Sequence, residues 1–284
     1  AEVTAVVNED QVNQRYYGAS GSDASHEATR ARIHWMCARA RRGKVLDVGC
    51  SQGIASILLG REGCEVLGID IEDEAIRYAR AELAKEPAIV RSNVRFMTAD
   101  ATKPHDWGPF DTVLLGEVLE HFTRPERVLA NVSNWLADDG VCVITVPFGL
   151  HSFHDHKQTF YAGKLAELVD PFFDEIAMEV HHRYLCYAGR KRSFRFRRPD
   201  NAERLKRLIR LDEAAFLEYE RRYQQGAGKL KGMIRSQSER IRALESQLKE
   251  KDGRMEGLLR QIKNLQRQLA EARRRSDPGK GGKA

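Results

Sequence analysis

The sequence predicts an α/β fold: a doubly wound parallel sheet, closed by an antiparallel hairpin and followed by a long helical coiled coil. Three observations carry that prediction. Short apolar runs alternate with amphipathic stretches from Lys44 to Val146. The first run ends in a glycine turn, and an acid follows Gly49 by 21 residues. From Ile234 to Leu269, apolar residues recur every seven positions.

Lys44–Val48 is a buried strand, and Gly53–Leu59 then takes up helical apolar spacing. Glu65–Ile69 is the second strand. Asp73–Leu83 follows as a helix with Ala75, Ile76, Ala79 and Leu83 on one face. Val94–Met97 and Phe110–Leu115 are the third and fourth strands. Pro125–Leu136 is a helix with Pro in its first turn, where the missing N–H has no partner to lose. Val141–Val146, between Gly140 and Pro147, is the fifth strand. Strands alternating with helices require crossovers, and crossovers produce a parallel sheet with helices on both faces. After Pro147 the pattern changes: a short helix over Tyr161–Val169, then strand runs Phe173–Val180 and Arg183–Ala188 close enough to form a hairpin. Before Lys44, residues Ser25–Ala40 suggest a helix over the front of the sheet.

The chain has 284 residues, 42% of them hydrophobic, enough for one domain with an extension. No run of about 18 apolar residues occurs, which excludes a spanning helix. The opening segment shows no secretory pattern, and the five cysteines are scattered without a C-x-x-C pair. A disulfide framework or zinc ribbon is therefore not expected, and a reducing cytoplasm is. Charge is divided unevenly. Residues 1–189 carry 19 Lys/Arg against 28 Asp/Glu, and residues 190–284 carry 28 against 13. The net charges are −9 and +15, which suggests two modules. The basic part reads either as a solvated helix surface or as a surface for anionic lipid, nucleic acid or an acidic partner.

The segment Val45–Gly53 leaves a strand and enters a helix, with Gly49 and Gly53 allowing a sharp turn and close approach to a ligand. Asp70, at the end of the next strand, can accept hydrogen bonds from ribose hydroxyls. The bland alternative is a tight turn with a helix-capping acid. The strings VLDVGCSQG, GIDIEDEAI, TADA, FDTVLLGEVLEHF and DDGVCVITVP follow in order. Together they resemble the ordered motifs of class I S-adenosylmethionine-dependent methyltransferases, over roughly residues 30–190. The resemblance implies a Rossmann-like sheet and S-adenosylmethionine as cofactor. It places Asp47, Gly49, Cys50, Ser51 and Gly53 in the loop beside the methionine part, with Ser51 where many members carry Gly. Asp70 is implied on the ribose, Ile71 against the adenine, Asp100 and Ala101 at the adenine amine, and Glu117 near the sulfonium. Tyr16-Tyr17-Gly18 resembles an aromatic segment that covers the cofactor in some members; plain packing is the alternative.

Methyl transfer to a hydroxyl needs a line of attack and a base. Glu117-x-x-Glu120-His121 stands after the fourth strand, and His151, His154 and His156 follow the fifth. In this topology both segments reach the edge where ligands bind. The catalytic candidates are His154, His156, His121 and Glu117. The same set resembles metal-dependent methyltransferases of small-RNA 3′ ends, which implies a divalent Mg or Mn held by Glu117, Glu120, His121 and His154. Against that, EVLEHF is common in methyltransferases without metal, and the histidines can merely shape the pocket.

Beyond residue 190 lies a basic aromatic stretch, GRKRSFRFRRP, then a helix with Leu205, Leu208, Ile209, Phe216 and Tyr219 as candidate buried positions. The heptads follow. The expected boundaries are 1–42 for the N-terminal segment, 43–190 for the cofactor domain, 191–228 for the junction and helix, 229–275 for the coiled coil and 276–284 for a disordered tail. A small catalytic head on a coiled coil resembles polysaccharide chain-terminating methyltransferases. That resemblance implies a glycan or sugar acceptor, self-association as dimer or trimer, and a membrane-associated glycosyltransferase or anionic membrane surface as partner. The expected site of action is cytoplasmic, peripheral to the inner face of the membrane. The rival readings are 2′-O-methylation of an RNA 3′ end, disfavoured by the acidic head, and a cofactor-binding scaffold acting through its coiled coil.

Overall fold

The structure, a computed structural model, describes residues 11–150, 155–192 and 202–276. Strands β1 (Lys44–Val48), β2 (Glu65–Asp70), β3 (Val94–Thr98), β4 (Phe110–Gly116), β5 (Leu136–Pro147), β6 (Phe173–His181) and β7 (Tyr184–Lys191) form one sheet in the order β3-β2-β1-β4-β5-β7-β6. The first five are parallel. The last two run antiparallel, and β7 inserts between β5 and β6. The chain order reverses direction between β1 and β4. Sheets of this kind bind ligands in the crevice at such a switch point, outside the carboxyl ends of the strands.

Two helical layers bury the strands. Ala28, Trp35 and Met36 of α2 (Asp23–Arg39), Ile57 of α3 (Ile54–Arg61) and Ile76 of α4 (Asp73–Ala84) pack with Val45, Val66, Leu114 and Val143. The opposite face carries Val128, Leu129 and Val132 of α6 (Glu126–Trp135) and Leu165 and Val169 of α7 (Ala162–Val169), against Leu46, Val113, Leu115 and Ile144. Neighbouring residues such as Leu114 and Leu115 therefore belong to different layers, as the period of two along a strand demands. Each fully buried side chain of this size stabilises by about 1.5–3 kcal/mol.

Three short elements are absent from the sequence reading: α1 (Val12–Tyr17), α5 (Ala88–Asn93) and a 3-10 turn over Leu119–His121. Each is shorter than two helical turns and shows no period to read. The fifth strand also begins earlier than expected, at Leu136, directly after Trp135 ends α6.

The chain divides after Leu217 into two units. The boundary falls within α8 (Ala202–Ser276), which takes in both the helix expected after the basic junction and the heptads. In the first unit, Leu208 and Ala215 of α8 are buried in the core. Arg204 donates to both oxygens of Asp170, at 2.5 and 2.6 Å. Asp212 accepts the amide of Ala162 at 2.8 Å, which caps the start of α7. Leu205 and Ile209 are exposed, contrary to expectation, as are Phe216 and Tyr219. The inward face runs through Leu208, Leu211 and Ala215, one turn apart, and Leu205, Ile209 and Phe216 lie off it. Phe216 still packs edge-on to Phe148 at 5.4 Å. In the second unit, every described residue of α8 from Arg235 to Ala272 is exposed. Among the described residues, no helix is long and apolar enough to cross a membrane.

Candidate active site

The turn after β1 is built around positive backbone angles. Gly49 has φ +66°, and a Cβ there would lie 2.5 Å from Val118 Cγ2. Gly53 has φ +82°, and its Cβ would lie 2.6 Å from Phe96 Cζ. Only glycine meets both demands at these points. Ser51 also has positive φ, at +45°. Its N–H donates to Asp70 Oδ2 at 2.8 Å, while Glu72 N–H donates to Asp70 Oδ1 at 3.0 Å. Asp70 thus joins the two loops that frame the crevice. Cys50 N–H donates to Ile69 C=O at 2.9 Å and closes the same junction. Ile71, next to Asp70, is 65% exposed, an apolar surface open to a flat ring.

Asp47 is buried beneath the turn and accepts from Ser56 Oγ at 2.6 Å. Burial pushes its carboxyl up to about 6. Asp100, in the loop after β3, accepts from both the N–H and the hydroxyl of Thr102. Those bonds hold it below the usual carboxylate range. Ala101 is buried beside it. From the N-terminal side, Asn13 N–H donates to Gln52 Oε1 at 2.9 Å, so α1 is tied to the glycine turn. Tyr16 bonds to His34 of α2 at 2.8 Å, and Tyr17 is exposed.

At the end of β4, Glu117 takes φ +61°, unusual for a residue with a side chain, and its N–H donates to Thr145 C=O. Strained backbone of this kind costs on the order of 1–3 kcal/mol and gathers at functional sites. Glu120 is buried, and among the described residues neither carboxylate oxygen has a hydrogen-bond partner. Burial, then the nearby Glu117 charge, pushes its carboxyl well above the ordinary value. Its backbone C=O accepts from Lys157 and Gln158 N–H, which ties the loop after β5 to the turn after β4. Glu120, His121 and His156 bring one ligand-type atom each to within 4.8 Å of one another. His121 Nδ1 lies 3.0 Å from Asp155 Oδ2, and the His121 and His156 rings meet edge to face at 5.1 Å.

Of the expected metal set, Glu120 and His121 are grouped, and His156 joins them. Glu117 is not a member of that group, although its charge lies close enough to act on Glu120. His154 lies outside the described residues, as do His151, the first ten residues, most of the basic junction and the tail. Two contributors escaped the sequence reading. Arg32 of α2 is buried, its Nη1 3.4 Å from Thr145 Oγ1 and its guanidinium 5.2 Å from the Tyr184 ring centre. Its charge acts on both Asp47 and Glu120. The only signal for it was an arginine within the apolar stretch of a helix. Asp155 lies between His154 and His156 in the sequence, and only the fold brings it to His121.

Residues 46–144 match the family model described as a methyltransferase domain. The chain is 30% identical over 150 residues to a ubiquinone biosynthesis O-methyltransferase of Psychrobacter cryohalolentis, covering 46% of this chain and 58% of that protein. The chain spans about half the length of the curated relatives it matches. Among solved structures, a protein from Pyrococcus horikoshii shares the fold at TM-score 0.50 and 23% identity, over 62% of this chain and 98% of that one. A 1,6-didemethyltoxoflavin-N1-methyltransferase of Burkholderia thailandensis does so at TM-score 0.51 and 22% identity, over 64% and 85%. The chain carries a class I S-adenosylmethionine-dependent methyltransferase domain, with S-adenosylmethionine as its cofactor.

Proposed function

We propose that the protein is an O-methyltransferase that moves the methyl group of S-adenosylmethionine to an acceptor hydroxyl. The observation that carries this is the His121–Asp155 pair beside Glu120 and His156, at the carboxyl edge of β4 and β5. In this reading His121 donates Nδ1–H to Asp155, which leaves Nε2 as the acceptor nitrogen. The acceptor oxygen attacks the methyl carbon, the C–S bond breaks, and the sulfur leaves with the electron pair as S-adenosylhomocysteine. The hydroxyl proton passes to the imidazole. In this reading Asp70 holds the ribose, Ile71 packs on the adenine, Asp100 takes the adenine amine, and the turn from Asp47 through Gly53 holds the methionine part. The names of the curated relatives support transfer to oxygen.

The buried carboxylate of Glu120 and the two imidazoles also fit a divalent cation, since they combine oxygen and nitrogen donors with an acid lacking partners among the described residues. Such an ion, held by Glu120, His121 and His156, would supply Lewis-acid stabilisation of the ionised hydroxyl.

The relatives' names point to ubiquinone biosynthesis and lend nothing to the glycan-end acceptor that the head-and-stalk architecture suggested. The test supplies methyl-labelled S-adenosylmethionine with three acceptor sets: polyprenylated catechols, lipid-linked glycans and RNA 3′ ends. Each is run with and without a chelator. Label on an oxygen of one set, reduced at least tenfold by His121→Ala, is expected. Label on nitrogen or carbon alone overturns the reading. The grouping of Glu120 with His121 and His156 keeps the RNA arm in the experiment.

A further inference from the structure

In the second unit, α8 presents an apolar seam to solvent, interrupted at Gln237 and Lys251. Ile234, Ile241, Leu248, Met255, Ile262 and Leu269 hold one heptad position, the a position. Leu230, Leu244, Leu258 and Leu265 hold the other, the d position, and all ten are 50–63% exposed. We propose that this seam is covered by the same seam of a second copy, in a parallel, in-register, two-stranded coiled coil.

The flanking charges select the orientation. Between residues 238 and 266 the e positions carry Glu245 and Asp252 and no base; between 240 and 268 the g positions carry Arg240 and Arg254 and no acid. In a parallel pair, g of one helix faces e of the next heptad on the other. Arg240 of one copy then meets Glu245 of the other, and Gln247 meets Asp252. In an antiparallel pair e meets e and g meets g, which sets acids against acids and arginines against arginines. The e and g positions govern orientation in this way in coiled coils generally. Seam composition selects the strand number. β-Branched Ile at a (Ile234, Ile241, Ile262) with Leu at d (Leu244, Leu258, Leu265) favours two strands. The polar d residues Gln237 and Lys251 fix the register, because each interrupts the apolar seam and in register meets only itself. Lys251 carries its ammonium on a long stem beside the acidic e position at Asp252. Within one helix, the pairs Arg235–Glu239, Arg254–Glu250 and Arg260–Glu256 stiffen the outer surface one turn apart.

The test uses the full chain. Light scattering is expected to give twice the 32.3 kDa chain mass. Leu244→Cys and Leu265→Cys, made separately, are each expected to form a disulfide between copies under mild oxidation, with the parent chain as control. Arg240→Glu is expected to raise the dimer dissociation constant severalfold, and adding Glu245→Arg to restore it. A monomer, which would leave the seam to a different protein or to this chain itself, overturns the proposal, and so does a trimer. A dimer in which only one or neither cysteine cross-links overturns it too, since an antiparallel or shifted pair cannot align both positions.

Discussion

The backbone N–H of Ser51 donates to the carboxylate of Asp70 across 2.8 Å, joining the turn after β1 to the end of β2. The acid therefore does two jobs. It holds the glycine turn in shape, and it stands where the ribose of the cofactor is proposed to lie. Removing it is expected to disturb both.

For Asp70→Ala, the affinity for S-adenosylhomocysteine measured by calorimetry is expected to fall at least tenfold, about 1.4 kcal/mol. The loss includes the two amides, of Ser51 and Glu72, that would be left without their acceptor. Unchanged affinity would remove Asp70 from the binding site.

Gly49→Ala combines a positive φ with a clash against Val118 Cγ2. It is expected to destabilise the domain by about 1–3 kcal/mol in chemical denaturation. Adding Val118→Ala removes the clash but not the strained backbone, so recovery should be partial. Full recovery would show that φ at this point carries no cost.

Asp47 supplies a pH dependence whose sign is fixed. Its folded value of about 6 lies above the ordinary carboxylate value, so the fold favours the protonated acid. Its contribution to stability is full below about pH 4 and is lost as pH rises to about 6. It stays lost above that. Asp47→Asn lacks this loss and is expected to gain on the order of 2 kcal/mol over the parent between pH 4 and pH 7. Denaturation profiles of the two proteins that run parallel over that range would contradict the assignment.

A cation held by Glu120, His121 and His156 binds the folded state alone, and so raises the melting temperature by mass action. Mn²⁺ is expected to raise it in the parent chain and not in Glu120→Gln. An equal rise in both would place the ion elsewhere.

Ending the chain after Leu217 keeps Leu208, Ala215 and the Arg204–Asp170 pair. Ending it at Arg190 removes all three. Calorimetric melting is expected to show the longer form near the parent and the shorter form clearly lower, since each buried apolar side chain lost costs about 1.5–3 kcal/mol. Equal melting temperatures would mean that the start of α8 adds nothing to the first unit.

The elements that sequence pattern located are those with a long enough period. β1, β2 and α4 fall within a residue or two of expectation because apolar spacing of two and of about 3.6 leaves little freedom. The short α1, α5 and Leu119–His121 segments have no such period. The glycine turn and Asp70 were legible because they lie on consecutive strand ends, where local chain geometry alone brings them together.

By itself, the sequence determined the alternating strands and helices, the cofactor loop with its acid, and the heptad seam, because each is written in spacings along one stretch of chain. Tertiary structure decided what distance along the chain conceals. It placed β7 between β5 and β6, buried Arg32 near Thr145, and set His121 against Asp155, 34 positions away along the chain. It also brought Glu120, His121 and His156 together in a group that does not include Glu117. Such pairings depend on how loops from separate strands converge at one sheet edge, and that convergence is fixed by packing of the whole core rather than by any local pattern.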